Sequence, residues 1–340
     1  MILTPLAASM FSRCRGIRLI LLLWPSLLSF AHGQTCSNGP DLDAATRSAI
    51  DSAARQYFDM SARGDVAGLR SNAIPAIASD FGGIEQAVVS NKERLAGSQP
   101  TVTGMYVLDA SQSKASMARA DFYCGIYNSP DRVDFSISNL PPGKYALVIQ
   151  KVEGKTPITL TMILENLGGN SWKLAGYYPR LNAVGGHDGE WYVTKARDYR
   201  QKGQLHNAWF YYLMAWDLLA PVDFMSTPRL DKLAQEMQGA RPNDLPNNGS
   251  PMNLPVANGK SFSVTELAPV PVEDSLDLRV RYNTADASDS GAAYQDNMAV
   301  IKTIVLKYPE FRDGFAAIIA RATDNSGHDY GTLLALKDVK

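Results

Sequence analysis

The side chains best suited to metal or nucleophilic chemistry are few: the 340 residues include three cysteines and four histidines. No histidines stand at HxH or HExxH spacing, and no cysteine–histidine cluster occurs, so we predict no metal site. His187 and His328 lie among glycine and aspartate residues, and His206 falls where a helical hairpin turns. We interpret all three as solvated side chains.

Motifs of other enzyme sites are also missing. The sequence has no GxSxG, no GxGxxG and no GxxxxGK followed by Ser or Thr, so neither a hydrolase elbow nor nucleotide binding is indicated. Asp286–Gly291 begins like a calcium loop, but Asn297 stands where the bidentate glutamate is required. A capped helix start is the better interpretation. We therefore predict no catalytic residue and no cofactor.

Aromatic residues near a carboxylate form the remaining candidate site. The candidate pocket residues are Tyr57, Asp59, Tyr106, Phe122, Trp172 and Tyr178. Such a pocket could bind a small apolar molecule, or transfer a proton if burial raised the pKa of the carboxylate. Aromatics at helix and strand spacing are also typical of a core, so both interpretations stay open.

The elements that would position these residues lie within 41–180. Asp41 and Asp43 can cap a helix that ends near Gly64, and a second helix follows around 84–95. The hydrophobic period then changes from 3.6 to two over 102–108, 118–126, 133–137, 145–149, 158–164 and 172–178. Short turns join these segments, which predicts a curved antiparallel sheet packed on the leading helices.

Two stretches carry a resemblance to the NTF2-like superfamily. ARQYFDMSARGD at 54–65 is similar to its opening helix and Gly-Asp turn, and WKLAGYY at 172–178 resembles its last strand. The resemblance implies a cone-shaped sheet around N-terminal helices, with a pocket between them. The superfamily contains isomerases, dehydratases and binding modules, so it does not decide the function.

Residues 187–240 are predicted to be helical, with a third helix at about 228–238. The stretch from 192 resembles one tetratricopeptide repeat, through residues Ala196, Tyr199, Gly203, Ala208, Tyr212 and Ala215. No second copy follows at the 34-residue period of such repeats, which need about three units to stand alone. A single hairpin packed on its neighbour is therefore favoured over a peptide-binding groove of repeats.

Composition changes again at 241–260, which is rich in proline and asparagine and predicts a linker. Beyond it, 261–340 predicts a small C-terminal domain of order ββαββ. Its strands are expected at 261–266, 276–282, 315–322 and 330–336, with a helix at 290–308 ended by Pro309. The whole chain is thus assigned to the α+β class.

The N-terminus carries an export signal. Arg13, Arg15 and Arg18 precede an apolar run that ends in Ala31-His32-Gly33, which predicts a signal peptide over 1–33 and a mature start at Gln34. The alternative is a membrane anchor, but Pro25 interrupts the run and it is shorter than the ~20 apolar residues of a spanning helix.

Cleavage would leave two cysteines, Cys36 and Cys124, in a compartment that permits disulfides. The two cysteines are not at CxxC spacing, which argues against a catalytic pair. We therefore predict a structural disulfide between them. The alternative is two unrelated thiols, one of them buried and inert.

These observations predict an exported, periplasmic or secreted protein that binds rather than catalyses, an accessory protein of the cell envelope. Its partner would be an unknown small molecule or an envelope protein. A net charge of −1 gives no basic field for nucleic acid, and no later segment suits a membrane after cleavage. The alternative is a small-molecule enzyme of isomerase or dehydratase type with its site in an NTF2-like cavity.

Overall fold

The computed structural model describes residues 34–126, 129–154, 156–247, 249–257 and 259–340. The predicted signal peptide lies outside the described residues. The first part of the chain comprises β1 (Thr35–Asn38), α1 (Ala44–Arg63), α2 (Val66–Ser71), α3 (Pro75–Ser79), α4 (Gly82–Leu95), β2 (Pro100–Asp109), β3 (Met117–Cys124), β4 (Val133–Leu140), β5 (Lys144–Val152), β6 (Ile158–Asn166) and β7 (Trp172–Leu181).

Helix α1 is capped by Asp43 and Gly64, two of the residues that predicted its ends. The Asp43 carboxylate accepts a hydrogen bond from the Thr46 amide, which satisfies one of the free amides of the first turn. Gly64 ends the helix in the left-handed conformation, at φ 70°. The second predicted helix is α4, and the short helices α2 and α3 lie between them.

The predicted strands form two sheets rather than one. Among the described residues, β1-β2-β5-β6-β7 form one antiparallel sheet, while β3 and β4 pair with each other in a second sheet. Strand β5 has two apolar faces: Ala146 and Val148 pack toward the helices, and Leu147 and Ile149 pack toward the second sheet. Because burying apolar surface is favourable, the second face also needs a cover, and the β3–β4 hairpin provides it.

The predicted disulfide is present and joins these two sheets. Cys36 of β1 is bonded to Cys124 of β3, and their Cα atoms are 5.2 Å apart. Cys36 also lies opposite Leu108 of β2 in the strand register. The bond therefore connects the edge of the first sheet to the sheet that covers it.

The middle of the chain continues with β8 (Ala183–Val184), β9 (His187–Asp188), α5 (Gly189–Gln201), α6 (Leu205–Leu219), β10 (Met225–Ser226) and α7 (Pro228–Gln238). Gly203 occupies the α5–α6 turn at φ 77°, and α7 matches the third predicted helix. After α6 the chain returns to the second sheet, because β10 pairs with β4 through Met225 and Phe135.

The last part comprises β11 (Met252–Pro255), β12 (Ser261–Val272), β13 (Ser275–Asn283), α8 (Ser290–Lys307), α9 (Phe311–Gly314), β14 (Ala317–Thr323) and β15 (Asp329–Ala335). These strands form one sheet in chain order, antiparallel except between β13 and β14, which α8 connects. The predicted linker contributes β11 to this sheet, since Leu254 pairs with Phe262. The chain is of the α+β class, as predicted.

Reduction of the disulfide tests its contribution to the fold. We expect the reduced protein to have a free energy of unfolding about 3–4 kcal/mol lower than the oxidised protein, because the bond closes a long loop in the unfolded chain. Urea unfolding with and without reductant measures this. Cys36→Ala is the control, in which reductant should change nothing. Equal stabilities of the oxidised and reduced wild type would contradict the prediction.

Candidate functional site

The sheet divides the six candidate pocket residues instead of gathering them. Tyr57 and Trp172 lie on the helix side, where the Tyr57 hydroxyl donates to the Trp172 carbonyl oxygen at 2.8 Å. Tyr106 and Phe122 lie on the opposite side, between the two sheets. Tyr57 and Trp172 therefore belong to one layer of core, and Tyr106 and Phe122 to the other.

The other two candidate residues lie nearer the surface. The Tyr178 side chain is 37% exposed and its ring meets Phe224 edge to face at 5.7 Å. Asp59 is exposed on α1. Asp59 therefore faces solvent and is not a buried carboxylate beside the aromatic side chains.

The layer between helices and sheet is packed mostly with aliphatic side chains. At its α1–β7 end an open pocket of about 570 Å³ is lined by Tyr57, Asn72, Trp172 and Lys173 among others. Among the described residues of the layer, the fully buried polar side chains are Ser61 and Gln150, and burial raises the pKa of nearby Tyr177 to about 12. Neither amide atom of Gln150 has a hydrogen-bond partner within the described chain. No carboxylate or imidazole is among the buried groups described in this layer, so it offers no described acid–base pair.

A groove between β2 and α1, here called the β2–α1 groove, encloses about 820 Å³. One wall consists of five consecutive residues of β2, Val102–Tyr106. Ala44, Arg47, Ser48 and Asp51 of α1 form the other wall, and the groove also reaches Asn38, Gly39, Pro40, Cys124 and Asp131. The volume falls within the range of sites that bind small ligands.

The groove exists because β1 stops early. Asn38, the last residue of β1, pairs with Tyr106, so the part of β2 before Tyr106 has no partner strand on that side. Gly39 and Pro40 then turn the chain into a 3-10 helix that leads to α1. Proline lacks the amide that a ladder needs, so the pairing cannot continue. A Gly-Pro pair after a short strand was the sequence signal that could have located this site.

Polar groups stand around the groove. The Arg47 guanidinium donates to the Leu42 carbonyl oxygen at 2.9 Å, and it forms no ion pair within the described chain. Asp51 is paired with Arg55 at 2.9 Å, whereas Asp131 is exposed without a described cationic partner. The Oδ1 atom of Asn38 is buried and accepts no hydrogen bond from a described residue. The groove thus offers charges of both signs.

A second polar cluster corrects the interpretation of His206 as solvated. Its side chain is only 15% exposed, with Nε2 2.8 Å from Asp244 and Nδ1 3.1 Å from Glu310. The Tyr308 hydroxyl also donates to Asp244, at 2.8 Å. The cluster holds α6 against the segment around Asp244 and the α8–α9 corner.

The segment 286–291, which begins like a calcium loop, caps the start of α8 as predicted. The Asp289 carboxylate accepts from the amides of Gly291 and Ala292 at the start of α8. Asn297 is buried inside the C-terminal core, where its Oδ1 accepts from the Tyr282 hydroxyl at 2.8 Å. Within the described ranges, no group of three or more His, Cys, Asp or Glu side chains could hold a metal ion.

No family model, curated protein or solved structure matches this chain. A function for this chain is therefore inferred from its own sequence and geometry. No helix in the part of the chain that the structure describes is long and apolar enough to cross a membrane.

Removing the charge of Asp244 tests the His206 cluster. Burial alone would raise the pKa of Asp244, but hydrogen bonds from Tyr308 and His206 outweigh it and lower the pKa. The stabilisation is therefore present above the unfolded pKa of about 3.9 and is lost as pH falls through the lower folded pKa. Asp244→Asn should lower the free energy of unfolding by about 1 kcal/mol at pH 6.

Urea unfolding at several pH values measures this difference, which should shrink as the wild-type carboxylate becomes protonated at low pH. Asp59→Asn removes an exposed carboxylate from α1 and serves as the matched control, with no loss expected. If both variants behaved alike at pH 6, the cluster would have no measurable role in stability.

Proposed function

We propose that this chain is an exported, non-catalytic binding or accessory protein of the cell envelope, and that its ligand occupies the β2–α1 groove. The observation that carries the proposal is the groove itself: about 820 Å³, with the apolar residues Val102, Met105 and Tyr106 of β2 opposite Arg47, Ser48 and Asp51 of α1. Binding sites combine apolar walls with a few placed polar groups in the same way.

Export is supported by two features. The basic and apolar N-terminus fits a signal peptide cleaved after Gly33. The Cys36–Cys124 bond is compatible with the oxidising compartments in which disulfides persist, periplasmic or extracellular.

We also propose a distant likeness to the NTF2-like superfamily for 41–180, and to a single tetratricopeptide hairpin for α5 and α6. The order of α1, α4 and the following strands supports the first, and the turn at Gly203 supports the second. The second sheet departs from a cone-shaped sheet that encloses a pocket, because it fills the sheet face away from the helices.

The alternative was a small-molecule enzyme working between helices and sheet. Acid–base catalysis there would need an ionisable group within reach of a substrate. Ser61, Gln150 and Tyr177 are poor candidates, since the first two do not ionise near neutral pH and burial raises the pKa of Tyr177 to about 12. Binding in the groove is therefore the better-supported function.

Filling the groove tests the proposal. The probe is 8-anilinonaphthalene-1-sulfonate, whose aromatic rings suit the apolar wall and whose sulfonate suits Arg47. Ala44 and Ala45 are both exposed in the first turn of α1, but Ala44 lines the β2–α1 groove and Ala45 does not. We expect Ala44→Trp to weaken probe binding about tenfold or more, and Ala45→Trp to leave it unchanged.

Isothermal titration calorimetry measures both affinities, and the midpoint of thermal unfolding shows that each variant is folded. Equal weakening by the two substitutions, or none by either, would contradict binding in this groove.

Intact mass tests export. We expect the protein recovered from the cell envelope or medium to begin at Gln34, with both cysteines alkylated only after reduction. A full-length mass with two freely alkylated cysteines would show that the chain is not processed and would contradict the predicted location.

A further inference from the structure

We propose that the β2–α1 groove binds an extended peptide segment of a partner protein, which adds a strand to the free edge of β2. This inference rests on the proposed function and names the ligand class of the same site.

One wall of the groove is the backbone edge of a strand. Successive side chains of a strand point to opposite faces, so five consecutive residues cannot all present side chains to one space. Val102–Tyr106 nevertheless all line the groove. All five residues contribute backbone atoms to the same edge of β2. The wall is therefore a strand edge as well as an apolar surface.

The edge of β2 before Tyr106 has no neighbouring strand on the β1 side. Strand β1 pairs only with Tyr106–Asp109, while Thr101, Val102 and Gly104 pair with β5 alone and Thr103 is bulged. Gly39 lies against Met105 at one end, so the stretch without a neighbour is Thr101–Gly104, roughly 14 Å at about 3.4 Å per residue. Main-chain bonds to such an edge provide affinity, and side-chain pockets provide specificity.

Exposed charged side chains line the groove. Arg47 and Asp131 bring unpaired charges of opposite sign to the same space. A peptide with apolar residues, an acidic residue near Arg47 and a basic residue near Asp131 would complement these groups.

A single strand suits the groove better than a second copy of this chain. Helix α1 forms the opposite wall, so the space beside β2 has the width of a groove and not of an open sheet edge.

The test uses the oxidised mature protein and a random library of linear peptides of about ten residues, enough to span the free edge. We expect enriched peptides whose affinity falls about tenfold or more in Ala44→Trp and is unchanged in Ala45→Trp. N-methylation at successive peptide positions should weaken binding at alternate residues, because only alternate amides of an added strand face β2. Amide hydrogen exchange within Thr101–Gly104 should slow on binding.

Three results would overturn the inference. The first is that every enriched peptide binds Ala44→Trp as well as the wild type, while the anilinonaphthalene probe still binds in the groove. That result would leave the proposed function intact. A second is uniform sensitivity to N-methylation. The third is concentration-dependent dimerisation of the free protein that Ala44→Trp abolishes, which would make a second copy the occupant. Failure of both probe and peptide would overturn the proposed function as well.

Discussion

Strands β5 and β6 are buried along almost their whole length, and this constraint organises the first half of the molecule. A strand with two apolar faces needs two covering layers, because each exposed face would leave a large apolar area in water. Helices α1 and α4 cover one face, and the β3–β4 hairpin with β10 covers the other. The disulfide then connects the two sheets where the edge strand β1 lies.

The same arrangement limits the space on both faces of the first sheet. Apolar side chains pack on the helix side, which leaves an open pocket at its α1–β7 end, and a second sheet covers the other side. The β2–α1 groove lies at the margin, where β1 is too short to cover β2 and the chain turns away at Gly39 and Pro40. The candidate binding site is thus a consequence of an incomplete edge and not of a hollow core.

The polar side chains that looked most suited to chemistry serve mainly to connect segments. His206 joins two carboxylates from different parts of the chain, and Asn297 bonds to Tyr282 inside the C-terminal core. Asp324 accepts from the amides of Ala287, Ser326 and His328, and these bonds hold its pKa well below the usual range. Buried polar groups need such partners, so each cluster stabilises a contact between distant segments.

The sequence by itself determined the local elements, because their signals lie within a few residues. Asp43 and Gly64 mark the ends of α1, period-two alternation marks the strands, and two remaining cysteines indicate the disulfide. Tertiary structure alone decided how strands divide between two sheets, since alternation gives the faces of a strand but not what covers them. It also decided the burial of His206, whose partners are 38 and 104 residues away, and the opening of the β2–α1 groove. These features depend on which distant segments meet, and local patterns such as the Gly39-Pro40 turn mark where a strand ends but not what lies beside it.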